Sequence, residues 1–189
     1  NAFTGKNGQE AVDRVTGAVA EALSMPSSRV FSSSTGVIGE PLPVARITAV
    51  IGEMAGKLEA GGVAAAARAI MTTDTFAKGA GAVVQGDGGL IHIAGVAKGS
   101  GMIAPDMATM LVYIFTDAQI APDTLQRMLS ARVDETFNAI TVDSDTSTSD
   151  ALILAATGKS KAAPITDLRS APARAFGKAL SQVMLDLAQ

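Results

Sequence analysis

Thr109 stands where two unlike stretches meet. Before it runs Lys98-Gly99-Ser100-Gly101-Met102-Ile103-Ala104-Pro105-Asp106-Met107-Ala108, Gly-rich and apolar, ending in a small residue. After it runs Met110-Leu111-Val112-Tyr113-Ile114-Phe115, which reads as a strand. A Thr opening a strand behind a loop and a small residue has what a self-cleaving precursor requires. Its hydroxyl can attack the Ala108 carbonyl, shift the acyl group from nitrogen to oxygen, and leave an ester for water to open. Thr109 then carries a free α-amine, a group that titrates near neutrality. Lying beside the Thr109 hydroxyl, that amine can act as general base for the nucleophile. A plain loop entering a core strand would show the same residues, so spacing alone leaves both readings open.

Two other places carry side chains suited to such chemistry. Thr35-Gly36 sits where a strand is expected to end in a tight turn, and there a backbone N–H and a hydroxyl can converge as an oxyanion hole needs. An ordinary turn reads the same way. Lys98 is either a solvated lysine at a strand end or a cation that holds a substrate carboxylate. His92, the one histidine, lies in an alternating strand and is read as structural, since no Gly-x-Ser-x-Gly elbow accompanies it. Asp143-Ser144-Asp145-Thr146-Ser147-Thr148-Ser149-Asp150 fails as an EF-hand, with Thr148 at the sixth position and Leu154 at the twelfth. It is read instead as a capped helix start. Gly99-x-Gly101-x-x-Ala104 lacks the helix of a dinucleotide loop, and Gly158-Lys159-Ser160 lacks the earlier Gly of a P-loop. No metal site is implied.

The elements that must position these residues follow from periodicity. Helices are expected over Gln9–Leu23 (stopped by Pro26), Pro43–Leu58, Ala64–Met71, Asp123–Phe137 and Ala171–Ala188, with another opening over Ser149–Ala156. Strands are expected over Val30–Val37, Met71–Phe76, Met110–Phe115 and Asn138–Val142. Ala82–Gln85 and Leu90–Ala97 make a hairpin around Gly86-Asp87-Gly88-Gly89. Gly158–Ser170 reads as a polar loop. Mixed strands and helices make the fold class α+β or layered α/β, with helices covering mixed sheets.

The 189 residues are 48% hydrophobic and 17% charged, the balance of a globular chain. A net charge of −3 leaves no electrostatic footprint for nucleic acid or an anionic membrane. No apolar run reaches the roughly 18 residues that span a bilayer. Cysteine is absent, which removes disulfides and thiol sites and fits a reducing, cytoplasmic setting. The chain opens at Asn1 without Met and stops inside an amphipathic pattern, so it reads as an internal piece of a longer protein.

The run from Lys98 to Leu111 resembles the self-processing site of the ornithine acetyltransferase family, bifunctional enzymes of arginine biosynthesis. Asn1-Ala2-Phe3-Thr4-Gly5, Ser34-Thr35-Gly36-Val37-Ile38-Gly39-Glu40-Pro41-Leu42-Pro43, Ala69-Ile70-Met71-Thr72-Thr73-Asp74-Thr75, Phe137-Asn138-Ala139-Ile140-Thr141-Val142-Asp143 and Asp145-Thr146-Ser147-Thr148 agree with it in order. The resemblance implies acetyl transfer from N-acetylornithine to glutamate through an acetyl ester on Thr109, with acetyl-CoA a further candidate donor and no cofactor. It also implies cleavage between Ala108 and Thr109. Residues 1–108 would then close an α chain, and 109–189 would open a β chain that joins it in a higher oligomer. By the same resemblance Thr35 and Gly36 hold the oxyanion, and Thr75, Lys98 and Thr109 bind substrate. Asp106 stands where family members often carry Asn. A self-processing amidase or aminopeptidase and a catalytically silent assembly domain are the alternatives.

Overall fold

The computed structural model describes residues 2–99, 109–140 and 147–189. They fall into two compact units, one made of 2–62, 109 and 147–150, the other of 63–99, 110–140 and 151–189.

In the first unit α1 (Gly5–Ala22) packs against α2 (Val44–Gly56). The first helix starts four residues before the expected Gln9. It ends in a Schellman motif: Ser24 N–H donates to the Glu21 carbonyl and Met25 N–H to the Ala20 carbonyl. Ser24 takes the left-handed φ of +52° that this cap demands, and Pro26 follows. Pro43 immediately precedes α2. The strand expected over Val30–Val37 is not there. The segment has no regular secondary structure and joins no ladder, since Ser32-Ser33-Ser34 offers no apolar face to bury. The turn also lies later than expected, where Glu40 N–H donates to the Val37 carbonyl and Gly39 N–H to that of Ala2.

In the second unit α3 (Val63–Ala69) leads into irregular backbone over 71–77, where a strand was expected. Here the Asp74 carboxylate takes the Thr72 N–H, a local bond that competes with ladder pairing. The hairpin forms as expected and extends beyond its predicted ends, β1 (Lys78–Gly86) and β2 (Gly89–Lys98) flanking a two-residue Asp87-Gly88 turn. Antiparallel to β2 runs β3 (Leu111–Thr116), and parallel to β3 runs β4 (Ala151–Ala156), giving a mixed sheet in the order β1-β2-β3-β4.

The strand β4 corrects the helix expected over Ser149–Ala156. A short apolar run fits either state, and here pairing with β3, forty residues earlier, decides it. Between them α4 (Pro122–Val133) ends before Phe137, which is buried in a 3-10 turn over Phe137–Ala139 rather than in the helix. That turn also replaces the start of the strand expected over Asn138–Val142, whose last two residues lie outside those described.

The long helix α5 (Ala171–Ala188) is capped by Ser170, whose hydroxyl accepts the Ala173 N–H at 3.2 Å. It lies across β1 and β2. Its buried face of Phe176, Leu180, Val183, Met184 and Leu187 joins Ile91, Ile93, Val112 and Ile114 in the core. Close approach needs Gly95, because a Cβ there would fall 2.8 Å from a Leu187 methyl. Truncating Phe176, which is fully buried, to Ala would cost about 3–5 kcal/mol. The fold class is therefore α+β, helices packed on a mixed four-stranded sheet. Among the described residues no helix is long and apolar enough to cross a membrane.

Candidate active site

The ladder of β3 and β4 begins in register at Leu111 and Ala151. Thr109 lies just ahead of the first of these strands and Ser147 just ahead of the second. Their hydroxyls meet at 2.8 Å. Thr109 is 3% exposed, so its hydroxyl is withdrawn from bulk water. Ser147 Oγ accepts the Ser149 N–H at 3.1 Å. A hydroxyl has one proton and two lone pairs, so Ser147 keeps a proton and a lone pair with which to donate to Thr109 or accept from it. The segment read as a helix cap is thus a turn that places a hydroxyl on Thr109. Ser147 escapes sequence reasoning because a Ser/Thr-rich run is normally a cap. Its agreement with a family block was the signal that could have singled it out. Ala108 and Asp106 lie outside the described residues.

A charged cluster occupies the end of β2. Lys98 is 2% exposed, which corrects the alternative of a solvated strand-end lysine. Its Nζ donates to Thr72 Oγ1 at 2.8 Å. Asp74, with a side chain 1% exposed, accepts the Gly99 N–H at 2.7 Å and the Thr72 N–H at 3.1 Å. Lys78 lies 3.8 Å from the same carboxylate and donates to the Gly99 carbonyl. Burial by itself would raise the Asp74 carboxyl, but the Gly99 and Thr72 N–H groups and the charges of Lys78 and Lys98 outweigh it. They hold the carboxyl below its ordinary value. Asp74 and Lys78 are absent from the sequence-derived site, because the contact to Gly99 spans twenty-five positions and leaves no local pattern.

Thr75 is exposed, and among the described hydrogen bonds it is Thr72 that meets Lys98. Thr35 is half-buried and Gly36 exposed, both on the irregular segment that leads into the Val37–Glu40 turn. His92 pairs with Asp117: its Nδ1 lies 2.7 Å from Asp117 Oδ2, while its backbone N–H donates to Oδ1 at 2.7 Å. Burial pushes the Asp117 carboxyl up, but the N–H and ring of His92 pull it below its ordinary value. The pair fastens β2 to the end of β3.

Comparison with known proteins gives the family of the chain. The model of the ArgJ family matches residues 1–189, the full length of the chain. The chain belongs to the ArgJ family. It is 60% identical over 189 residues to the arginine biosynthesis bifunctional protein ArgJ of Ruegeria pomeroyi, covering all of this chain and 45% of that protein. Proteins of the same name from Bradyrhizobium diazoefficiens and Caulobacter vibrioides are each 50% identical to it, with 46% and 47% of their lengths covered. The chain thus spans a little under half of these ArgJ relatives. The ornithine acetyltransferase resemblance and the ArgJ match name one family.

Proposed function

We propose that this ArgJ-family chain carries the catalytic junction of a glutamate N-acetyltransferase of arginine biosynthesis. The observation that carries the reading is the Thr109 hydroxyl, buried and paired with a second hydroxyl at the entrance to a core strand. In the first stage Thr109 Oγ attacks the Ala108 carbonyl and the acyl group moves from nitrogen to oxygen. Water then opens the ester, so one chain ends in an Ala108 carboxylate and the other begins with the Thr109 amine. In the second stage Thr109 Oγ attacks the acetyl carbonyl of N-acetylornithine. The Thr109 amine accepts the hydroxyl proton and passes it to the departing amine of ornithine. The amine of glutamate then attacks the acetyl ester, which yields N-acetylglutamate and restores the Thr109 hydroxyl.

Thr35 and Gly36 supply the oxyanion donors in this reading, a role that rests on the family resemblance. Lys98 holds a substrate carboxylate, and a cation withdrawn from water attracts such a group more strongly than a solvated one. Family resemblance puts Thr75 beside it, while the Thr72–Lys98 hydrogen bond favours Thr72 for that place. Residues 1–108 and 109–189 belong to the α and β chains of one precursor, assembled into a higher oligomer and working in the cytoplasm. Acetyl-CoA is a second candidate donor.

Incubating the full-length protein with N-acetylornithine and glutamate tests the proposal. Acetylated glutamate together with two polypeptides, the second beginning at Thr109, supports it. Free acetate alone indicates a hydrolase, and an uncut, inactive chain indicates an assembly domain.

A further inference from the structure

Gly99, the residue after Lys98, is held by both of its backbone polar groups. Its N–H donates to Asp74 Oδ1 at 2.7 Å and its carbonyl accepts from Lys78 Nζ. Its φ of +139° lies in the region that favours glycine. The other Asp74 oxygen takes the Thr72 N–H at 3.1 Å, and the Thr72 hydroxyl accepts from Lys98 Nζ at 2.8 Å. One buried carboxylate therefore ties together the backbone that follows Lys98 and the residue that receives its ammonium.

We propose that Asp74 is a positioning residue, which locks Thr72 to Gly99 and so holds Lys98 Nζ in the orientation that receives the substrate carboxylate. This inference rests on the reading of Lys98 as a substrate-binding cation. A lysine stem has four flexible bonds, and fixing it only on binding would charge substrate affinity with the lost rotamer freedom. Anchoring both ends of the Lys98 environment removes that cost before substrate arrives. Asp74 does not itself hold the substrate. Its two oxygens already accept backbone N–H groups, and its charge repels a carboxylate. Lys78 joins the same anchor, 3.8 Å from Asp74 Oδ1 and donating to the Gly99 carbonyl.

Steady-state kinetics of the full-length protein with N-acetylornithine, comparing Asp74→Asn, Thr72→Val and the double variant, tests this. Asp74→Asn should raise KM about tenfold and leave kcat within about threefold, the size of effect expected when a charge-assisted hydrogen bond is lost from a binding group. The double variant should be no worse than the worse single one, because both act through the same chain of bonds. A fall in kcat with KM unchanged, or effects of the two substitutions that simply multiply, overturns the positioning role. If the Asn variant does not fold, Asp74→Glu keeps the charge but displaces its oxygens, and must raise KM likewise. An unchanged KM in the folded Glu variant overturns the role too. Lys98→Met separates the two claims. If it raises KM while the folded Asp74 variants do not, the positioning role alone fails. If it leaves KM unchanged, the substrate role of Lys98 fails and the inference falls with it.

Discussion

The Thr109 region and the Lys98 region are held in opposite ways. Thr109 meets a neutral hydroxyl that can either donate or accept. Lys98 belongs to a cluster of two lysines, a buried aspartate and two backbone N–H donors. A neutral hydrogen bond contributes about 1 kcal/mol net, and one to a charged group about 1.5–3 kcal/mol. In the proposed reaction this contrast has a purpose. A nucleophile gains and loses a proton and an acyl group in each cycle, so its partner has to be weak and reversible in polarity. A group that receives the substrate carboxylate keeps one geometry throughout, so stronger and more numerous restraints suit it.

The strongest way to break the comparison is at Thr109. Thr109→Ala should abolish both self-cleavage and acetyl transfer, read by intact mass and by product formation. Thr109→Ser keeps a hydroxyl but loses the methyl that restricts its rotamer, so cleavage should be slowed rather than lost. An Ala variant that still cuts would remove Thr109 from the chemistry. Next in size, Thr35→Val should lower kcat about 100- to 1000-fold while leaving the fold intact, the usual cost of a lost oxyanion donor. A change confined to KM would make Thr35 a uniform binding group instead.

A smaller effect sharpens the neutral half of the contrast. Ser147→Ala should slow cleavage about 5- to 10-fold, as expected for the loss of a hydrogen bond worth about 1 kcal/mol. An unchanged single-turnover cleavage rate would mean that Ser147 only shapes its turn. The smallest effect concerns a carboxylate outside the site. The Asp117 carboxyl is depressed in the fold, so its contribution to stability is present above the ordinary Asp range of about 4 and fades as pH falls through the lower folded value. Asp117→Asn should therefore flatten the acid side of the Tm-against-pH profile and leave KM for N-acetylornithine unaltered. A profile that stays as steep as that of the native protein would show that the His92–Asp117 pair carries no pH-dependent stability.

Elements with a strong local period were legible in the sequence. The α1, α2 and α5 stripes and the β1–β2 hairpin, with its Asp87-Gly88 turn, are written in neighbouring residues. Elements decided by distant pairing were not. Ala151–Ala156 is a strand because β3 lies alongside it, and 71–77 is irregular where Asp74 turns its carboxylate to Thr72 and Gly99. The candidate site divides in the same way. Thr109 and Lys98 stood out by their place relative to a glycine-rich run and a strand. Ser147, Thr72 and Asp74 reach their partners across 38, 26 and 25 positions, and no local spacing announces such contacts.

The most direct test of the central claim is the intact mass of the full-length protein after incubation with N-acetylornithine and no glutamate. The polypeptide that begins at Thr109 should gain one acetyl group, lose it when glutamate is added, and show the modification on Thr109 itself when sequenced by fragmentation. A single uncut chain, or a cut chain that never carries acetyl while product still accumulates, would contradict the assignment of Thr109 as the nucleophile.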